Sequence, residues 1–144
     1  MFRYGMTLML AGGLLAGCST GEVARVEDEA REQISYAATA KYPGQARTSD
    51  AIKLTAVDDP DGRTLTIYNV TDNAIGPSTI WVNGAFVYRI SGIAPRAAVQ
   101  ISHAELLQAG PGTGDLKALD QSARKVEIET ADGLFTVQGP SREG

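Results

Sequence analysis

Cys18 is the residue of this 144-residue chain whose type and position point most directly to a chemical reaction. It is the only cysteine, and it follows Leu15-Ala16-Gly17. A thiolate is a good nucleophile for forming a thioether, and small residues before it suit the narrow cleft of a peptidase. Because the chain has one cysteine and one histidine, an internal disulfide and a Cys/His metal cluster are excluded. The sequence therefore predicts modification at Cys18 and no metal or cofactor.

The seventeen residues before Cys18 have the organisation of an export signal. Arg3 and the α-amine give a small positive region, and residues 5–14 form an uncharged, mostly apolar stretch. That stretch is too short to span about 30 Å of hydrocarbon, but it matches the apolar core of a secretory signal. Together with these features, Leu15-Ala16-Gly17-Cys18 resembles the lipobox of bacterial lipoproteins. The alternatives are an ordinary signal peptide and a buried helix with an incidental cysteine.

The resemblance implies a lipid anchor in the cell envelope. In bacterial lipoproteins the cysteine thiol receives diacylglycerol, the signal is cut just before the cysteine, and the new α-amine is usually acylated, for example with palmitate. Such chains contribute about 0.8 kcal/mol per buried methylene, enough for stable membrane attachment. Ser19 stands where this class uses Asp for retention in the inner membrane, so the resemblance favours the outer membrane, facing the periplasm.

His103 is a second candidate for chemistry. Ser102 before it and Glu105 after it form the pattern of a capping box, which predicts a short helix through Leu107. Catalysis would need a nucleophile and an orienting carboxylate brought to the histidine in a cleft, and the sequence contains no catalytic motif that supplies them. We therefore expect a hydrogen-bonding role for His103 and no enzyme. A hydrolase would require His103 to lie beside a carboxylate in a cleft.

Asp58, Asp59 and Asp61 form an acidic cluster before Gly62. Oxygen-rich loops can bind calcium, but an EF-hand would need an acid in place of Val57 and a glutamate eleven residues later. Proline, aspartate and glycine are also what a tight turn requires. The cluster is therefore interpreted as a turn and not as a metal site.

Trp81, Phe86 and Tyr88 flank Asn83-Gly84, a strong signal for a two-residue hairpin turn. Such a turn would pair Trp81 with Phe86 and place all three aromatic side chains on one face. An aromatic row can stack on sugars or receive a partner, although aromatic residues in a small domain also form its core. A ligand- or carbohydrate-binding module is therefore the alternative function. Burial of Trp81 would exclude it.

The elements that must position these residues belong to one small domain. Hydrophobic residues make up 43% of the chain and charged residues 21%, which is typical of a globular protein. The net charge of −4 offers no basic face for nucleic acid, and removing Arg3 with the signal would leave −5, which anionic lipid headgroups repel. We expect a signal at 1–17, a lipidated N-terminus and tether at 18–50, a folded domain at 51–139 and a disordered tail at 140–144. Residues 22–40 have a thin apolar stripe that fits either a short helix or a disordered spacer.

Three hairpins predict the folded domain. Strands at 52–57 and 64–68, with Ala56 opposite Leu65, flank the acidic turn, and strands on either side of Asn83-Gly84 form the second hairpin. The third joins 126–130 to 134–137, with Glu127 and Glu129 on a solvated outer face. With a further strand at 98–102, the pattern predicts an all-β, antiparallel sandwich of six or seven strands. The function we expect is that of a membrane-anchored envelope lipoprotein, whose non-catalytic sandwich serves interaction or structure with an unidentified partner.

Overall fold

The computed structural model describes residues 28–59, 61, 63–110 and 117–142, except for the side chains of residues 141 and 142. The signal at 1–17 and the lipid site at Cys18 lie outside the described residues. The chain divides into two compact units, Met1–Glu32 and Gln33–Gly144. In the first, the described residues 28–32 are helical, and Asp28 lies 3.8 Å from Arg31.

The second unit is an all-β sandwich, as the sequence predicted. Its strands are β1 (Leu54–Asp59), β2 (Thr64–Asn69), β3 (Ser78–Val82), β4 (Phe86–Ile90), β5 (Ala98–Ser102), β6 (Leu107–Gln108), β7 (Val126–Thr130), β8 (Gly133–Thr136) and β9 (Gln138–Arg142). One sheet has the order β5-β2-β1-β9 and the other has the order β6-β4-β3-β7-β8. A helix, α1, covers residues 28–39, and a 3-10 helix covers His103–Glu105. Within the described residues, no helix is long and apolar enough to span a membrane.

The β1–β2 hairpin buries the face that its alternation predicts. Leu54, Ala56, Leu65 and Ile67 are buried in the core between the sheets. Ala56 is opposite Ile67 and not Leu65, so the register differs by two residues from the expected one. Since side chains alternate with a period of two, this shift leaves each of them on its predicted face.

The β3–β4 hairpin differs from its expected register by one residue, which changes the structure more than the two-residue shift in β1–β2 does. Trp81 is opposite Val87, and Val82 is opposite Phe86, so the loop contains three residues, 83–85. The predicted Asn83-Gly84 turn does form, since both residues have positive φ and the Ala85 N–H donates to the Val82 carbonyl at 3.1 Å. The additional loop residue is Ala85, whose carbonyl accepts from the backbone N–H of Ala109 at 2.8 Å instead of continuing the ladder. This slip of one residue moves Trp81 to the face opposite Phe86.

The outer face of the five-stranded sheet is covered by residues 33–47, which we call the strap. Ala37 and Ala40 of the strap are buried against Trp81, Val87 and Leu134 in a second apolar cluster. The β7–β8 register is as expected, with Ile128 opposite Phe135. Its outer face is only partly solvated, since Thr136 is exposed whereas Glu127, directly opposite, is 3% exposed. The compact unit thus begins at Gln33 and includes much of the predicted tether, since the small side chains of the strap let it lie flat on the sheet.

β9 extends the folded unit beyond its predicted end. It runs parallel to β1, with Thr55 opposite Gln138 and Val57 opposite Ser141, so the sandwich is not purely antiparallel. Residues 140–142 of the predicted tail therefore belong to a strand. β6 and β9 account for the difference between the expected six or seven strands and the nine found among the described residues. Neither has the alternating apolar pattern that identifies strands in a sequence.

Candidate functional site

His103 lies at the start of the 3-10 helix, where the sequence placed it. The Ser102 side chain accepts from the backbone N–H of Ala104, and the Glu105 carboxylate accepts from the backbone N–H of Ser102. This is the predicted capping box, although the helix is shorter than expected and ends at Glu105. The box fixes the backbone at Ser102, and the His103 N–H donates to the Arg63 carbonyl at 2.8 Å. The imidazole is thereby held against the inside of the four-stranded sheet.

The imidazole of His103 meets the carboxylate of Asp58. Its Nε2 lies 2.7 Å from Asp58 Oδ1, and the second oxygen, Oδ2, accepts from the backbone N–H of Ala123 at 3.1 Å. Asp58 is 0% exposed and His103 is 2% exposed. Asp58 therefore points into the sandwich and joins three segments, β1, the 3-10 helix and the loop before β7.

This geometry meets one of the two conditions for a hydrolytic site. A carboxylate is hydrogen-bonded to the histidine, as in a catalytic dyad, but both side chains are buried and do not line a cleft. Among the described residues, no hydroxyl or thiol is hydrogen-bonded to His103. The arrangement can hold three segments together, whereas substrate cannot reach the imidazole without a structural change.

The predicted aromatic face is not present. Trp81 is 1% exposed and packs under the strap, while Phe86 and Tyr88 are half-buried against the core between the sheets. The one-residue difference in the β3–β4 register separates them. A sugar or partner cannot stack on the three rings together, so the prediction of an aromatic binding surface at Trp81, Phe86 and Tyr88 is wrong.

Tyr42 fastens the strap to the sheet through a polar cluster. Its hydroxyl donates to Glu127, 2.7 Å from Oε1 and 2.9 Å from Oε2, and accepts from Lys125 Nζ at 3.1 Å. The Tyr42 ring meets the Trp81 ring edge-on with centroids 5.3 Å apart, and the Trp81 indole donates to Glu129 at 2.9 Å. Burial, and then the hydrogen bond to Glu127, raises the pKa of Tyr42 above its ordinary value. The cluster therefore favours the protonated hydroxyl and binds a buried carboxylate.

An open groove of about 270 Å³ lies at one end of the strap. Arg89, Thr79 and Glu129 are cross-strand neighbours in its floor, and the Arg89 guanidinium lies 5.1 Å from the centre of the Tyr36 ring. It is lined by Tyr36, Pro77, Ser78, Thr79, Arg89, Glu129 and Thr130. The groove offers charges and hydroxyls but no enclosed volume, so its shape does not select one ligand.

Sequence reasoning missed Tyr36 and Tyr42, which it placed in a tether. A signal was present, because disordered spacers contain few aromatic residues and this segment has two tyrosines within seven positions. The partnership of Asp58 with His103 had no comparable signal, since the two residues are 45 positions apart.

The acidic cluster is also dispersed by the fold. Asp58 faces inward, and the described residues contain no group of three His, Cys, Asp or Glu side chains that could hold a metal ion. Comparison of the chain with protein-family models, curated proteins and solved structures finds no match.

Proposed function

We propose that this protein is a lipid-anchored lipoprotein of the bacterial cell envelope, whose sandwich is a non-catalytic module for interaction or structure. The observation that carries the proposal is the sequence Leu15-Ala16-Gly17-Cys18 at the end of a short apolar stretch. Diacylglycerol on the Cys18 thiol and an acyl chain on its α-amine would attach the mature chain to a bilayer. Ser19 favours the outer membrane, with the sandwich in the periplasm.

The charge of the mature chain supports lipid as the means of attachment. With 12 basic and 17 acidic residues from Cys18 onward, the chain is repelled by anionic headgroups. A polybasic surface therefore does not offer a second route to the membrane. Two or three acyl chains supply the required apolar area by themselves.

The non-catalytic part of the proposal is supported by the environment of His103. Its imidazole is hydrogen-bonded to Asp58 and both side chains are buried, which supports a structural role for the group that a hydrolase would use. What the described domain offers to other molecules is its surface, which includes sheet edges, loops and the open groove.

Replacement of Cys18 by Ser tests the anchor. A serine hydroxyl does not form the thioether, so we expect the Cys18→Ser chain either to leave the membrane fraction or to retain its uncut signal. The measurements are the distribution of the protein between membrane and soluble fractions and the intact mass of the purified chain. The unsubstituted protein should carry the mass of the lipid and lack residues 1–17.

Ser19→Ala serves as the matched control, because it changes the neighbouring small hydroxyl residue and leaves the thiol in place. It should keep both the lipid mass and the membrane attachment. If Cys18→Ser leaves membrane retention and mass unchanged, the lipoprotein proposal is wrong.

A further inference from the structure

β5 forms one edge of the four-stranded sheet and has backbone groups that point away from its only paired neighbour in the described structure, β2. The Ala97 carbonyl accepts from Asn69 and the His103 N–H donates to Arg63, which fixes the phase of the β2–β5 ladder. In an antiparallel ladder, alternate residues bond to the neighbouring strand. Val99 and Ile101 therefore face β2 with their N–H and C=O groups, while those of Ala98 and Gln100 point outward.

The other sheet edges of the described domain are each protected by a hydrogen-bonded contact or by a proline. On the edge strand β6, the Gln108 N–H donates to the Lys117 carbonyl at 2.8 Å. On the part of β4 that the two-residue β6 leaves uncovered, the Gln33 side chain donates to the Arg89 carbonyl and accepts from the Arg89 N–H, both at 2.9 Å, as a neighbouring strand would do. On β8, Arg47 of the strap accepts from the Thr136 N–H and donates to the Leu134 carbonyl.

β9 is closed by its composition. It contains Pro140, which has no N–H to offer, and edge strands commonly carry proline for this reason.

Among the described residues, β5 has neither a covering segment nor a proline. Its sequence, Ala-Val-Gln-Ile-Ser, has no charged residue and no proline, and its ladder with β2 is continuous over all five residues. Natural proteins generally protect a free edge of this kind against pairing with other chains. Within the described residues, the other edges are closed and the β5 edge is open, so β5 is suited to adding another strand.

We propose that β5 pairs with β5 of a second copy of this chain, antiparallel about a twofold axis at Gln100. The proposal rests on the interaction role proposed above, and it is independent of the lipid anchor. In this register Gln100 faces Gln100 of the second copy, and Ala98 faces Ser102. The four-stranded sheets of the two copies become one sheet of eight strands.

The outward-pointing N–H and C=O groups of β5 are complementary to those of β5 in a second copy. Gln100 N–H and C=O exchange two hydrogen bonds across the axis, and Ala98 N–H donates to the Ser102 carbonyl of the second copy on each side. These four bonds need no rearrangement, since the Ser102 N–H that is already bonded to Glu105 is not used. No charges face each other, and the half-buried Val99 gains Ile101 of the second copy as an apolar neighbour.

A second copy fits this edge better than a charged partner would, because the strand offers no charge to recognise. The five-residue contact is small compared with a standard interface, so pairing in dilute solution is weak. Confinement of both copies to one membrane would raise their effective concentration and favour it.

A charge-swap experiment tests this register. Full-length chains with two different C-terminal epitope tags are co-expressed, and co-purification of one tag with the other is measured. Because residue 100 faces itself across the axis, Gln100→Lys in both copies places like charges opposite each other and should reduce co-purification about five-fold. Gln100→Glu in both copies should act in the same way. Pairing of the Lys chain with the Glu chain should restore co-purification to the level of the unsubstituted chain or above.

Thr66→Lys in both copies is the matched control, since Thr66 is the cross-strand neighbour of Gln100 on the same face, one strand further from the edge. It should leave co-purification unchanged. The proposal is overturned if the Lys/Lys pair co-purifies as well as the unsubstituted pair, or if the mixed pair recovers no better than Lys/Lys.

Repeating the set with Cys18→Ser separates this proposal from the anchor. Charge-dependent pairing that persists without Cys18 supports the β5 contact even if the lipoprotein proposal fails. If co-purification is lost without Cys18 but does not change with the charge at residue 100, the two chains are held together only by the same membrane. This result would contradict the β5 contact.

Discussion

The carboxylate of Asp58 accepts hydrogen bonds from two groups that come from distant parts of the chain, the imidazole of His103 and the backbone N–H of Ala123. All three lie where water cannot replace a lost partner. A buried donor without an acceptor costs more than the hydrogen bond contributes when it is present. Asp58 is thus a residue at which a small substitution should have a large structural effect.

Asp58→Ala should lower the free energy of unfolding by about 2–4 kcal/mol, because it leaves both donors unpaired in the core. Urea unfolding followed by circular dichroism measures the change. Asp120→Ala removes an exposed carboxylate from the same region and should change stability by less than about 0.5 kcal/mol. Equal effects of the two substitutions would show that the buried contact does not stabilise the fold.

Tyr42 supports a second prediction at this scale, because its hydroxyl donates to the buried carboxylate of Glu127 at 2.7 and 2.9 Å, closer than Lys125 Nζ at 3.6 Å. Tyr42→Phe should cost about 1–3 kcal/mol at neutral pH. Tyr68→Phe is the matched control, since the Tyr68 side chain is 42% exposed, and it should have little effect.

The cost of Tyr42→Phe should also depend on pH. Burial and the hydrogen bond to Glu127 raise the folded-state pKa of Tyr42 from 10.0, and the hydrogen bond with Tyr42 raises the pKa of Lys125 from 10.5. A group with a raised folded pKa contributes its full stability below its unfolded pKa and loses it as pH rises through the folded pKa. The stability difference between the unsubstituted chain and Tyr42→Phe should therefore shrink as pH rises above 10. Urea midpoints measured from pH 7 to 11 would contradict this if the difference stayed constant.

At the scale of elements, the strap changes how the molecule is divided. Residues 33–47 have too few large apolar side chains to form a stable helix alone, yet they cover Trp81, Val87 and Leu134. Small residues permit this, since Ala37 and Ala40 bring the backbone close to the sheet. The strap is therefore a part of the folded domain that is stable only because the sheet is beneath it.

Removal of the strap should expose Trp81, the only tryptophan of the chain. A chain that begins at residue 51 should show tryptophan emission shifted to longer wavelength, bind a dye for apolar surfaces and unfold at lower urea concentration. A chain that begins at residue 28 retains the strap and should match the full-length protein in all three measurements. Identical emission from the two shortened chains would mean that the strap does not shield the indole.

The hairpins indicate how much of the fold the sequence can predict. Alternation located seven of the nine strands in the described part of the chain, and the buried face of β1–β2 was right although its register was not. The turn at Asn83-Gly84 was right, but the β3–β4 face was wrong because Ala85 joins the loop and its carbonyl bonds to Ala109, a contact that no local pattern contains. The capping box at Ser102 was right because it is satisfied entirely within four residues.

For the whole molecule, the sequence predicts the features that depend on residues close together in the chain. The signal, the strand alternation and the cap each depend on neighbouring residues, whereas the pairing of Asp58 with His103, the strap and the parallel β9 depend on contacts across the domain. β9 in particular is held by the backbone of β1, and its own sequence has little preference for a strand. The sequence therefore identified His103 and Asp58 as candidate residues but did not predict that they contact each other.

The late strands of the chain complete both sheets, and this has a consequence for the order of folding. β1 and β3 pair early with β2 and β4, but their second neighbours, β9 and β7, come from the final part of the chain. Long-range pairing of this kind is slow. If the chain is exported as proposed above, the part already across the membrane would lack β7, β8 and β9 until the end of the chain arrives. The sandwich would then close only after β9 had crossed, and the late position of these strands would keep the chain in a form that can be translocated.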